Sequence, residues 1–299
     1  MPLAFNVQTK KQIRVIIDTD AACEADDPFA IVHALMSPKL KVCAIFAEQF
    51  GNAETTKKSY DEINKIVSLM SLNTPVYMGA NGPLSDVKNQ PLSPASCFLI
   101  EEAIKDDPMP LFVLCIGAIT NIASALQARP EIAPRMTIVW IAGHPYNDKK
   151  EAPFKEYNSG NDVSAANIVF NNKNVNIWQI PNNVYGSMRI GLAELQKRVY
   201  PCGEIGKHLF ENMIQYNNTE RANWTAGESW TLGDSPAVGV VLDDNCGHYE
   251  YVKAPNFNND TSYIYESGKP LIRVYKSIDS RYIIEDFIAK LEFLYSNNN

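Results

Sequence analysis

IRVIIDTDAACEADDPFA, residues Ile13 to Ala30, joins a run of apolar and β-branched residues to a string of carboxylates. Ile13, Val15, Ile16, Ile17 and Thr19 mark a short buried strand. Asp18, Asp20, Glu24, Asp26 and Asp27 gather at its end. Open α/β sheets bind ligands at the carboxyl ends of their strands, which places a site here. Five carboxylates within ten residues repel one another unless a cation or another positive partner sits among them. Hard ions such as Ca²⁺ and Mg²⁺ take oxygen ligands of this kind. Asp26 and Asp27 also suit the first turn of a helix, so a solvated acidic cap is the plainer alternative. The position directly after the first buried strand favours the metal site.

The rest of the composition bounds the answer. At 299 residues and 45% apolar, the chain can bury a sizeable core. No apolar run approaches the roughly 20 residues that span a bilayer, so no membrane partner is expected. The N-terminal stretch MPLAFNVQTKKQ has no apolar segment of signal-peptide length. Six cysteines contain no CxxC pair, and Cys43 and Cys115 lie in strand-like runs. They read as reduced core residues, and the expected compartment is the cytoplasm. A net charge of −7 argues against a nucleic-acid partner and leaves a small neutral ligand open.

Working outward, DDPFAIVHALM carries apolar residues at helical spacing with Pro28 in the first turn. Strands are expected over Lys41 to Ala47, Pro75 to Met78, Leu111 to Ile116, Thr137 to Ile141 and Val175 to Gln179. Helices are expected over Thr55 to Met70, Ser93 to Lys105, the segment NIASALQA capped by Thr120 or Asn121, and Asp162 to Phe170. This alternation implies βαβ units and an open, mostly parallel sheet flanked by helices. After Pro181 come helices over Leu192 to Val199, Ile205 to Tyr216, Ser235 to Leu242 and Arg281 to Tyr295. Strands over His248 to Val252 and Leu271 to Tyr275 lie between the last two. Gly143 to Asn161 reads as a polar loop, and Asn217 to Ser229 as a polar connection. The asparagine pairs at 171–172 and 182–183 read as turns, and Asn297 to Asn299 as a frayed end. With no linker and no repeat, residues 1–299 are expected to form one domain.

Polar clusters fall at or after strand ends: Asp18 to Asp27, Gly51-Asn52, Gly117 to Asn121 and Glu156 to Asp162. A fifth, Gly233-Asp234-Ser235-Pro236, precedes a short helix. Each alone reads as readily as a helix cap. In a parallel sheet the strand ends share one edge, which lets them converge.

The order DTD…DD, GN, IGAITNIA, EYNSGNDVSAA and GDSPAV resembles the inosine–uridine-type nucleoside hydrolases, from about Arg14 to Leu242. The resemblance implies an open α/β sheet with a Ca²⁺ ion at the strand edge. It implies metal ligands at Asp20, Asp27, the backbone carbonyl of Ile116 and Asp234. Ribose-binding residues are implied at Asp26, Asn52, Glu156 and Asn158. Asp20 would also take the proton of a metal-bound water, with Asp18 in support. The implied partner is a nucleoside or related ribosyl compound, and the implied assembly a homodimer or homotetramer. Cleaving an N-glycosidic bond builds positive charge on the ribose ring, which facing carboxylates stabilise.

The chain also departs from that family. The usual DxDPGxDD pattern is lengthened by two residues between Asp20 and Asp26, as in a divergent bacterial subgroup with DTDxxxDxDD, and Glu24 stands where that subgroup has Asp. Glu24 can then reach the metal, support Asp27 or face solvent. Many members carry His before the last Asp ligand to protonate the leaving base, and here that residue is Gly233. His144 could supply the proton instead, although a loop histidine without a role explains it as well. Trp224 and Trp230 could stack on a base or simply pack in the core. His33 and His248 read as structural. Base preference is expected to lie in the loops Gly143 to Pro153 and Asn217 to Trp230. Two other readings stay open: a ribose-binding protein that has lost turnover, and a haloacid dehalogenase-type phosphatase. The latter needs Asp18 as nucleophile, Asp20 as acid and Thr or Val where Ala22 stands.

Overall fold

A computed structural model of the chain describes residues 3–84, 91–146, 152 and 154–296. The elements begin with β1 (Ile13–Thr19), α1 (Asp27–Leu35), β2 (Leu40–Ala47), α2 (Ala53–Leu69), β3 (Val76–Met78) and α3 (Pro94–Ala103). They continue with β4 (Leu111–Cys115), α4 (Thr120–Ala128), β5 (Met136–Ile141), α5 (Tyr157–Asn161), α6 (Val163–Asn171) and β6 (Asn176–Ile180). Next come α7 (Asn182–Tyr185), β7 (Arg189–Gly191), α8 (Leu192–Arg198), α9 (Gly203–Asn217), β8 (Ser229–Thr231) and α10 (Ser235–Leu242). The chain closes with β9 (Gly247–Lys253), β10 (Asn256–Phe257), β11 (Tyr263–Ile264), β12 (Leu271–Ile278) and α11 (Ser280–Tyr295).

Eight strands form one sheet in the order β3-β2-β1-β4-β5-β6-β12-β9. All neighbours are parallel except the β12–β9 pair at one edge. Every residue of β1 is buried because helices cover both faces. Alternation along the strand divides its side chains between two apolar layers. Val15 and Ile17 join the layer with α1, α9, α10 and α11, and Ile16 joins the one with α3, α4 and α6. Buried Arg14 is accommodated because its guanidinium donates to the Glu102 carboxylate at 2.7 Å and to the Met109 carbonyl at 3.0 Å.

The expected strands and helices of the alternating region all form. The two late strands join the same sheet, β12 in parallel beside β6, which extends it beyond Val175 to Gln179. Elsewhere local chemistry departed from expectation. Neither Thr120 nor Asn121 caps α4: the helix starts at Thr120 without a side-chain cap, and both side chains turn into buried hydrogen bonds. The loop expected over Gly143 to Asn161 ends in α5, capped by the Glu156 carboxylate; its residues 147–151 and 153, and residues 297–299, lie outside those described. Asn182 and Asn183 begin the single turn α7. The short antiparallel pair β7–β8 was not foreseen, because three-residue strands carry too little periodicity to read. Cys43 is half-buried, and Cys115 is a fully buried core residue, as expected. All six cysteines are unpaired. Among the described residues, no helix is long and apolar enough to cross a membrane.

Candidate active site

Parallel strands ending along one edge bring distant residues together. A cavity of about 90 Å³ there is lined by Asp20, Glu24, Asp26 and Asp27 after β1, Ile116 after β4 and Ile141 at the end of β5. Glu156 and Asn158 come from the α5 turn, Tyr185 from α7, and Gly233 and Asp234 from the start of α10. A second cavity of about 590 Å³ opens beside it and shares Glu24, Asp26, Tyr157, Tyr185 and Gly233 with the first.

The inner cavity is acidic, and Asp20, Asp26, Asp27 and Asp234 in its wall are buried. Asp26, Asp27 and Asp234 each offer a carboxylate oxygen within 4.8 Å of the others. This trio differs from the set implied by resemblance, which had Asp20 in place of Asp26. Asp27 is held by the Thr19 hydroxyl at 2.5 Å. Asp26 accepts from the Gly233 N–H at 2.9 Å. Asp20 packs so closely on Gly117 that a β-carbon there would lie 2.6 Å from Asp20 Oδ1. Its Oδ2 is buried with no hydrogen-bond partner among the described residues. Burial, reinforced by Glu24, Asp26 and Asp18, pushes the Asp20 carboxyl well above the usual carboxylate range. Burial and the neighbouring carboxylates do the same to Asp27 and Asp234. Burial raises Asp26 to about 6, and burial with the Asp26 and Asp27 charges raises Glu24 to about 8. Such a set stays costly until positive charge enters it.

The polar wall opposite is built for acceptors and donors in fixed places. Glu156 Oε2 accepts from the Ser159 N–H and hydroxyl, and Oε1 accepts from the Tyr185 hydroxyl at 3.2 Å. Asn158 Nδ2 donates to the carbonyls of Ile141 at 2.8 Å and Ile116 at 3.3 Å. Arg221 donates to the Cys23 carbonyl at 2.9 Å and tethers the acidic loop to the α9–β8 connection.

Not every expected residue arrives. Asn52 is exposed and lines neither cavity; its side chain caps α2 by accepting from the N–H groups of Glu54 and Thr55. Asp18 is fully buried beneath the cavity and accepts from Asn121 Nδ2 at 2.9 Å. Enclosed there, it cannot serve as the nucleophile that a phosphatase of the haloacid dehalogenase type requires. Glu48, which the sequence did not single out, lies buried beside it and accepts from the Asn121 N–H. His144 is no free acid: Nε2 pairs with the Thr261 hydroxyl and Nδ1 with the Asn182 amide. His33 is buried against Asp286. Trp230 is a core residue, whereas Trp224 is half exposed and lines the outer cavity. Tyr157 and Tyr185 were missed. Their positions after β5 and β6 were a usable signal, since ligands gather at parallel strand ends.

The family model described as inosine-uridine preferring nucleoside hydrolase matches residues 15–280. A relative in Salmonella paratyphi A, a pyrimidine-specific ribonucleoside hydrolase RihA, is 26% identical over 257 residues, covering 78% of this chain and 77% of its own. A purine-preferring ribonucleoside hydrolase from Gardnerella vaginalis superposes with a TM-score of 0.78 at 20% identity, over 94% of this chain and 98% of its own. A plant nucleoside hydrolase, the PpNRh1 enzyme, gives 0.76 at 20% identity over 93% and 98%. At such identities the two structures establish likeness of fold.

Proposed function

Because this chain belongs to the inosine–uridine preferring nucleoside hydrolase family and is an N-glycosyl hydrolase, we propose that it hydrolyses a ribonucleoside or related ribosyl compound with Ca²⁺ as its metal, in the cavity at the strand edge. The observation that carries this reading is the meeting of Asp20, Asp26, Asp27 and Asp234 with Glu156 and Asn158 around one cavity.

The donor set suits a hard cation. It offers three carboxylates converging on one point, a buried Asp20 oxygen without a partner among the described residues, and the Ile116 carbonyl, which there accepts only from Asn158. Asp20, Asp27, Ile116 and Asp234 would hold it, with Asp26 close enough to join. When bound, Ca²⁺ supplies the charge that keeps the carboxylates ionised, makes a water in the cavity more acidic and orients the ribose diol.

The chain's own groups do the rest. Asp20 accepts the proton of the attacking water. Asp26 faces the sugar and accepts from a ribose hydroxyl, while Glu156 and Asn158 fix the remaining hydroxyls. Positive charge grows on the ring as the C1′–N bond lengthens, and the carboxylates, already oriented by their hydrogen bonds, stabilise it with little reorganisation. The expected assembly as a homodimer or homotetramer, the extent of one domain over 1–299 and a cytoplasmic setting for the unpaired cysteines belong to the same proposal.

Release of free ribose from a nucleoside panel, with and without chelator, tests it. Chelator-sensitive release that falls at least about a thousandfold in Asp20→Asn supports the assignment of base and metal. Release that survives both chelation and Asp20→Asn would remove them.

A further inference from the structure

Gly233 supplies no proton, and among the described residues no histidine lines either cavity. The outer cavity holds another kind of group. β7 and β8 pair with Arg189 opposite Thr231, Ile190 opposite Trp230 and Gly191 opposite Ser229. Ile190 and Trp230 are turned into the core at 3% and 1% exposure. Alternation therefore turns Arg189, Ser229 and Thr231 to the other face, and all three line the outer cavity. The Arg189 guanidinium has no hydrogen bond or ion pair among the described residues. Lys155 lines the same space with no ion-pair partner among the described residues, its stem packed on Gly160, where a β-carbon would lie 2.8 Å from Lys155 Cε. Trp224, Phe154 and Tyr157 offer half-exposed rings to that space. Two cations without ion-pair partners among the described residues and three half-exposed rings suit a flat ring that carries negative charge.

We propose that Arg189, assisted by Lys155, stabilises the departing base as an anion, in place of a proton donor at position 233. The substrates are then ribosides of carbonyl-bearing ring bases. This rests on the hydrolase reading above. As the C1′–N bond breaks, its electron pair passes into the ring and on to a carbonyl oxygen facing the guanidinium. Oxygen of water bonds to C1′, its proton goes to Asp20, and the freed base anion takes a proton from solvent after release. A planar guanidinium can meet such an oxygen with paired N–H donors. Adenine, which has no carbonyl and departs best protonated on its ring, gains little from it.

The test measures kcat/KM for 4-nitrophenyl riboside, uridine and adenosine in the wild type, Arg189→Gln and Arg189→Lys. Wild type is expected to prefer uridine to adenosine. Removing one preorganised charge donor should cost about 30- to 100-fold on uridine, with less than about threefold lost on the activated nitrophenyl substrate. Arg189→Lys should recover part of the loss. Equal losses on both substrates, no loss on uridine, or a uridine-selective loss in Glu24→Gln instead of Arg189→Gln would overturn the proposal. A wild type inactive on all three, the activated riboside included, would overturn the hydrolase reading beneath it.

Discussion

The backbone N–H of Gly233 donates to Asp26 Oδ2 at 2.9 Å, and a β-carbon on Gly233 would stand 3.3 Å from both that oxygen and Tyr185 Cδ2. A side chain there crowds both groups, and the tyrosine ring and the carboxylate must give by a few tenths of an ångström to admit it. Installing the family's histidine as Gly233→His should therefore not create a proton donor. We expect a fall of about tenfold or more in kcat/KM and a lower melting temperature, since overpacking costs about 1–3 kcal/mol. A gain in activity on purine nucleosides would show that the tyrosine moves aside freely.

Asn52 and Asn158 were expected to share a task, and the structure separates them. Asn52→Ala should lose an N-cap worth about 1 kcal/mol while leaving KM unchanged. Asn158→Ala should mainly raise KM, because its amide lies in the cavity wall between the Ile116 and Ile141 carbonyls. Urea melts and KM measurements on both variants check this, and the opposite pattern would return Asn52 to the ribose site.

The acidic trio implies a stability that depends on the cation. Ca²⁺ at about 100 times its Kd should add about 2.7 kcal/mol, read as a higher melting temperature. Asp27→Asn or Asp234→Asn should abolish that increment, since each removes one of the three converging carboxylates. Identical melts with Ca²⁺ and with chelator would leave the carboxylates without their proposed partner.

In chelator the buried carboxylates in and beneath the cavity should make the protein sensitive to alkali. Burial raises Asp26 to about 6, Asp18 to about 7 and, aided by neighbouring charges, Glu24 to about 8. A folded-state pKa above the unfolded one means that the group contributes stability below its unfolded pKa, near 4, and loses that contribution as pH rises through the folded value. The melting temperature should therefore decline steadily between about pH 5 and pH 8.5. Asp18→Asn keeps an acceptor for Asn121 and should flatten the decline. A melting temperature that climbs over this range would mean the cluster is already neutralised.

Much of this was legible without coordinates. The apolar-rich β1, the alternation of buried runs with amphipathic helices, and the carboxylates at a strand end are local patterns, and each formed where expected. Gly51-Asn52 shows where that legibility stops. A cap and a ligand have the same residue types, and only the direction in which Asn52 turns tells them apart. Glu48 carried no local signature, and Tyr157 and Tyr185 only their places after β5 and β6; strand order made them part of the site or its support.

The sequence by itself determined the layered α/β architecture and the acidic character of the edge, because hydrophobic period and charge are written residue by residue. Only the tertiary structure decided that Asp26 joins Asp27 and Asp234, that Tyr185 stands against Gly233, and that Arg189 faces the outer cavity. Those relations span segments up to 208 residues apart along the chain, as Asp26 and Asp234 are. They are set by how the strands stack side by side and by which face of a three-residue strand the core claims, and neither is encoded within a short window of sequence.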